Sequence, residues 1–454
     1  MSDSENSAGS SQLPEQLGIR NLGIRNRVGE TGRDLDAVVS RVAADLLERS
    51  HLVQPDEIAV SVAVAAAPLG VTSARIYLAD LEQESLRAVS GNSTATADPL
   101  PIDSTLAGRA YATVSIQYSS AEDGQGGWRV WLPLTGGTER LGVLELACVD
   151  VEETMLARYR TLASLVGLLV ASKSPYSDVL AAGRRTGEMA LQAEMVWAFL
   201  VPRTFATDRV LVAATLEPAY EVGGDAFDYS LVGRHLHVAI FDAVGHDLAA
   251  GLISSVGMAA WRSVRRSGGT LEEAVRQAGD AIATQFGENR FLTALLCDLD
   301  VAIGQLRWVP CGHPPPLLIR RDKVIKELIR KPQLPLGLAY LDRIQRRSRG
   351  AGEPSGPGAV PVCTERLEPG DRVLLYTDGV TDGRAPDGTS FGLDRLSDFI
   401  VRHSSTGISA PETLRRLNHA IVEYQQGRLT DDATIVLVEW IPDHPERLLA
   451  SVRR

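Results

Sequence analysis

Apolar positions along this chain follow two periods, and the changes of period mark out its parts. Leu35, Val38, Val39, Val42, Ala43, Leu46 and Leu47 fall three and four apart, which predicts a helix beginning near Asp36. Glu57–Ala67 supports a second helix. Arg75–Asp80 and Ser85–Ser90 alternate like strands on either side of a turn at Asp80–Glu84. Thr105–Thr113 reads as helix, Trp128–Pro133 and Leu141–Cys148 as a hairpin joined through Thr135–Arg140, and Thr154–Ser172 as a closing helix. Helices flanking a mostly antiparallel sheet make an α+β unit over residues 35–173. Residues 1–34 ahead of it are polar, with Leu-Gly-Ile-Arg-Asn occurring twice (Leu17–Asn21 and Leu22–Asn26), and read as a disordered arm.

Residues 174–205 read as a helical linker. Ser177–Leu200 lacks proline, is interrupted only by Gly183 and Gly187, and sets Met189, Ala193, Val196 and Leu200 on one face. Such a helix suits either a passive spacer or a rod that pairs two chains as a homodimer. A second unit, residues 206–441, follows. Val210–Leu216, His235–Asp242, Thr293–Asp300, Gln305–Pro310, Pro316–Arg320, Arg372–Tyr376 and Ala433–Trp440 are strand-like. Ala249–Arg265, Leu271–Phe286, Leu393–His403 and Pro411–Tyr424 are helical. Runs of strands separated by consecutive helices fit an α+β sandwich better than a doubly wound parallel sheet. Arg346–Gly358 reads as a flexible insertion whose arginines are either solvated or in contact with an acidic partner. Residues 442–454 form a tail.

Composition narrows the functions. The apolar fraction is 44% and the charged fraction 23%, as in ordinary globular proteins. A net charge of -11 argues against nucleic acid and anionic membrane as partners. Cys148, Cys297, Cys311 and Cys363 show no zinc spacing and read as reduced thiols. Met1–Gln16 is unlike a signal peptide, and Ile58–Val71 and Leu162–Ala171 are too short or interrupted to span a bilayer, so the expectation is a cytoplasmic protein.

The candidate chemistry lies in four aspartates at the boundaries of apolar runs. Asp225 ends Val222-Gly-Gly-Asp225, Asp242 ends the strand His235–Asp242, Asp378 follows Arg372–Tyr376 by two residues, and Asp431 precedes Ala433–Trp440. If these strands are neighbours, the carboxylates converge on one rim. Gathered carboxylates repel one another unless a cation neutralises them, and hard divalent ions prefer oxygen donors. The Gly-x-x-x-x-Gly-Lys-Ser/Thr phosphate loop is absent from the sequence. Carboxylate-bound cation pairs most often activate water against a phosphate ester.

Two resemblances add to this reading. Ala67–Leu78, Leu100–Gly108 and Leu132–Leu146 resemble segments of a GAF sensory domain, which implies either a small ligand or a dimerising role for residues 35–173. Glu217–Asp228, Asp242–Asp247, Phe291–Ala294, Cys311–Pro316, Leu334–Gly337, Tyr376–Gly383 and Asp431–Thr434 occur in the order of the serine phosphatases typified by stage II sporulation protein E. That group is the bacterial branch of the metal-dependent protein phosphatase 2C superfamily.

The second resemblance implies an α-β-β-α sandwich in which Asp225, Asp242, Asp378 and Asp431, with the backbone carbonyl of Ala243, ligate two Mn²⁺ or Mg²⁺ ions. It implies a protein serine/threonine phosphatase acting on a phosphorylated anti-sigma-factor antagonist, gated here by the GAF-like unit. A catalytically silent scaffold and a hydrolase of small phosphate esters are the alternatives. Asp432 is expected to cap the turn before its strand. Asp247 stands where glycine is common and either caps the next helix or holds an outer water; Asp382 replaces the commoner glutamate. His246 and His313 are expected to be structural rather than proton donors, and Arg290 is the candidate for the substrate phosphate.

Overall fold

The computed structural model describes residues 32–89, 97–121, 127–287, 290–338, 360–405 and 407–442. The expected arm before residue 32, the Arg346–Gly358 insertion and nearly all of the tail lie outside them.

The N-terminal unit opens with helices α1 (Gly32–Arg49) and α2 (Ile58–Ala66). Strands β1 (Val71–Ala79), β2 (Ser85–Ala88) and β3 (Leu100–Pro101), helix α3 (Leu106–Thr113), strands β4 (Gln117–Ser120), β5 (Trp128–Gly136) and β6 (Glu139–Cys148), and helix α4 (Glu153–Lys173) complete it. Its antiparallel sheet runs β3-β2-β1-β6-β5-β4. The α4 helix and its following turn, Glu153–Tyr176, are apolar and long enough to cross a membrane by length and composition. Here Tyr159, Leu162, Val166 and Val170 bury that apolar character in the unit's own core.

The single helix expected over Ser177–Leu200 is instead two short ones, α5 (Asp178–Gly183) and α6 (Leu191–Phe199). Between them the chain bends back, held by a bidentate Arg185–Glu194 pair at 2.6 and 2.8 Å. Glycine's freedom at 183 and 187 makes helix continuation costly, and these tertiary bonds win. A continuous rod is therefore absent.

The C-terminal unit contains β7 (Thr204–Ala206), β8 (Val210–Glu217), β9 (Ala226–Val232) and β10 (His235–Ala243). Helices α7 (Leu248–Arg266) and α8 (Leu271–Phe286) and strands β11 (Leu292–Asp300), β12 (Gln305–Cys311), β13 (Leu317–Arg320), β14 (Lys323–Glu327), β15 (Cys363–Arg366) and β16 (Arg372–Tyr376) follow. Then come α9 (Asp378–Asp382), α10 (Gly392–Ser405), α11 (Ala410–Tyr424) and β17 (Ala433–Trp440). One sheet is ordered β15-β12-β11-β10-β9 and the other β14-β13-β16-β17-β8-β7.

Period-two alternation explains how the layers stack. In β17, Val436 and Val438 enter the core between the sheets, whereas Ile435 and Leu437 face the core under α10 and α11. Val373 and Leu375 of β16 do the former, Leu374 and Tyr376 the latter. Strands buried on both faces are nearly continuous in apolar residues, as these are. The α7–α8 pair covers the other sheet, giving an α-β-β-α sandwich.

A buried ionic network joins the two units. Arg140 of β6 pairs with Glu412 of α11 at 3.0 Å, and Arg415 reaches both Glu412 and Asp103. His419 meets the Glu82 carbonyl at 3.0 Å, and the Thr204 amide donates to Glu139 at 2.7 Å. Arginines hold the Glu412 carboxyl down at about 2 against the opposing push of burial, so it stays ionised in the interface.

Candidate active site

The four aspartates converge because antiparallel neighbours bring opposite chain ends together. Asp225 stands one residue before β9 and Asp242 near the end of β10, and these strands pair Ala226 with Phe241. On the other sheet Asp378 lies two residues after β16 and Asp431 two before β17, which pair Tyr376 with Ile435. Each sheet thus contributes two acids to the same rim.

The acids interact electrostatically. Burial, and then the charges of Asp242 and Asp432, raise Asp225 well above the ordinary carboxylate range. Burial, then Asp378 and Asp431, push Asp242 up to about 7. Asp378 is raised by burial, then by Asp431 and Asp382. Asp225 is 1% exposed, whereas Asp378 and Asp431 face solvent, so the site is deep on one sheet and open on the other.

Close backbone contact fixes this arrangement. A Cβ at Gly224 would lie 2.5 Å from the carbonyl oxygen of Ala243, and one at Gly379 would lie 2.0 Å from that of Asp432. Only glycine fits at both places. The first contact sets the Ala243 carbonyl beside the loop that carries Asp225.

Several supporting residues carry roles that their motifs alone do not reveal. Thr377 donates to Asp225 at 2.8 Å, and its oxygen accepts the Thr434 amide at 2.9 Å. Thr293 donates to Asp242 at 3.3 Å and meets His313 Nδ1 at 2.9 Å. Asp432 does more than cap its own turn: its Oδ2 accepts the amides of Gly223, Gly224 and Asp225 at 2.9, 2.8 and 3.2 Å. Asp228, on a strand the apolar pattern does not reveal, is fully buried and paired with Arg262 and Arg265 at 2.6 Å each. That ties α7 to β9.

The remaining residues divide clearly. His313 is buried, and burial drives its pKa down to about 3, so it is neutral near pH 7 and props Thr293. His246 is exposed on the loop after β10. Asp247 caps α7, accepting the Ala250 amide at 3.0 Å. It also pairs with Arg290 at 2.9 Å.

The donors fit a hard cation. Every candidate ligand is an oxygen, and three of the carboxyls are held at raised proton affinity by burial and mutual repulsion, which a divalent ion would relieve. Among the described residues no three acidic, histidine or cysteine side chains close tightly enough to cage an ion alone. Ions held by one or two carboxylates, a carbonyl and several waters, as Mg²⁺ prefers, match such a set.

Residues 233–441, most of the C-terminal unit, match the family described as Stage II sporulation protein E (SpoIIE). Protein IcfG of Synechocystis sp. is 24% identical over 261 residues, covering 50% of this chain and 37% of that protein. Phosphoserine phosphatase RsbU of Bacillus subtilis is 23% identical over 239 residues, covering 52% and 64%. The chain thus spans from about a third to two thirds of these relatives' length. The solved RsbU and RsbW domains of a Mycobacterium tuberculosis protein align at 22% identity with a TM-score of 0.41, over 51% of this chain and 62% of that one.

Proposed function

We propose that the protein is a metal-dependent phosphatase of phosphoserine and phosphothreonine proteins. The observation that carries this is the convergence of Asp225, Asp242, Asp378 and Asp431 from two sheets, with Asp225 and Asp242 at raised proton affinity. Asp225, Asp242, Asp378 and Asp431, with the Ala243 carbonyl, would together hold the two Mn²⁺ or Mg²⁺ ions. Bound ions of this kind acidify a water and neutralise phosphoryl charge. Thr377 and Thr293 fix the carboxylates, and Asp432 fixes the Gly223–Asp225 loop. His313, neutral and buried, orients Thr293 rather than exchanging protons with the substrate.

The relative named a phosphoserine phosphatase supports a phosphoserine substrate, and we propose that the substrate is a phosphorylated anti-sigma-factor antagonist, as the sequence resemblance implies. We further propose cytoplasmic action, in keeping with four unpaired cysteines. Regulation by the N-terminal, GAF-like unit has a physical route. Ala190 and Thr186 of the linker bond Tyr220 at 2.8 and 2.9 Å, and Trp197 bonds the Ala219 carbonyl at 2.7 Å, in the loop that leads to Asp225.

Phosphate release from a phosphoserine protein tests the proposal: activity is lost on chelation and restored by Mn²⁺. A chelated protein that keeps its full rate would refute it. For gating, removal of residues 1–173 should change that rate without abolishing it. An inactive remainder with native circular dichroism would argue against an accessory role.

A further inference from the structure

The four aspartates offer no positive side chain to the substrate's phosphoryl oxygens, but Arg290 lies beside the loop that follows Asp242. The β10–β11 ladder continues past Ala243–Leu292 through the Val244 amide, which donates to the Phe291 carbonyl at 3.2 Å. Arg290 is the next residue out, three along from Thr293, the strand partner of Asp242. Its Nη1 donates to the Val244 carbonyl and to Asp247 Oδ1, both at 3.3 Å, and its Nη2 to Asp247 Oδ2 at 2.9 Å. The guanidinium therefore lies over the loop that follows Asp242 and Ala243. Gly245 makes room there: at φ +93 it turns the chain, and a Cβ would come within 3.3 Å of Arg290 Nη1.

The use of the fork matters. Asp247 takes the end-on pair, Nη1 and Nη2, while the side edge formed by Nε and the second Nη2 proton has no protein acceptor among the described residues. A guanidinium binds phosphate best through such a two-donor edge. Asp247 is itself anchored as the cap of α7, so it is a fixed support. Both side chains keep solvent access, at 33% and 56% exposure, so a ligand can reach them.

We propose that Arg290 binds the phosphoryl oxygens of the substrate through its Nε–Nη2 edge, and that Asp247 is the positioning residue that aims it. This rests on the phosphatase reading. It assigns Asp247 a task besides capping, and one that a glycine there could not perform. A carboxylate so near a phosphate weakens binding by repulsion, so the arrangement is useful only if orientation outweighs that cost.

The test is binding of inorganic phosphate to the Mn²⁺-loaded full chain by calorimetry, alongside KM and kcat for p-nitrophenyl phosphate. Arg290→Ala should weaken phosphate about tenfold or more and raise KM, in line with one charge-assisted bidentate contact. Arg290→Lys should recover only part, since a point charge cannot form the fork. Asp247→Ser keeps a capping residue. It should weaken phosphate in the Arg290 background and be silent beside Arg290→Ala. Unchanged phosphate binding in a folded, active Arg290→Ala protein would overturn the assignment. Tighter binding on Asp247→Ser in both backgrounds would overturn the positioning role, leaving Asp247 as a repelling charge. A wild-type protein that neither binds phosphate nor releases it from any ester would refute the phosphatase reading itself, a result distinct from either.

Discussion

Thr377 donates its hydroxyl to Oδ2 of Asp225 at 2.8 Å, across the gap between the two sheets. Because Thr377 precedes Asp378 and Asp225 precedes β9, one bond sets the spacing of two acids that belong to different sheets. Thr377→Val removes this bond and strips the buried Thr434 amide of its acceptor, and should cost about 1–3 kcal/mol. It should also weaken Mn²⁺ binding in calorimetry. Thr377→Ser should restore both; a Val variant with unchanged metal affinity would show that the acids are held by other means.

Asp432 makes a sharper case, since one oxygen collects three amides. Asp432→Ala would leave three buried donors without an acceptor, and about 3 kcal/mol or more of stability should be lost in urea unfolding. Asp432→Asn keeps an acceptor oxygen and should recover much of the loss. If the two variants unfold alike, the amides are satisfied elsewhere.

The acids also fix a dependence on pH. Burial and its neighbours raise Asp242 from its ordinary 3.8 to about 7. A carboxyl whose pKa is higher folded than unfolded stabilises the fold fully below the unfolded value, and that contribution is lost as pH rises through about 7. Metal-free protein should therefore melt at lower temperature at pH 8 than at pH 5 through this group, and Asp242→Asn should flatten the trend. Mn²⁺ should raise the melting temperature most at the higher pH, where fewer protons compete.

The contact between the units is open to a similar test. Arg415 is 1% exposed and serves both Glu412 and Asp103. Arg415→Ala frees exposed Asp103 and removes one arginine from buried Glu412, which keeps Arg140, so it should cost about 1.5–3 kcal/mol. Separate unfolding of the N-terminal unit, seen as a second calorimetric transition, should accompany the loss. One unchanged transition would mean that the network does not couple the units.

How much of this was legible in the sequence depended on whether a pattern or a partner decided it. The doubly buried strands β8, β16 and β17 and the amphipathic helices α7, α8, α10 and α11 announce themselves by period. Strand β9 does not: it carries Asp228, a charge on a core position that makes sense only once Arg262 and Arg265 are beside it. The linker misled because it lacks proline, while its break comes from bonds to Tyr220 and the Arg185–Glu194 pair, which no local pattern encodes. The four acids could be read from their motifs. Which of the adjacent pair Asp431 and Asp432 faces solvent could not, because identical side chains one residue apart are separated only by where the Gly223–Asp225 amides lie. Thr293 and Thr377 carry no signal beyond a hydroxyl next to an acid, or across a strand from one.

The central claim is that Asp225, Asp242, Asp378 and Asp431 form one cation site that hydrolyses phosphoserine. The most direct measurement is Mn²⁺-dependent phosphate release from a phosphoserine protein by the wild type and by the Asp242→Asn and Asp378→Asn variants, each checked for folding. The account predicts at least about a hundredfold loss in kcat/KM for each variant, the scale of several kcal/mol of lost transition-state stabilisation. Variants as active as the wild type would contradict it.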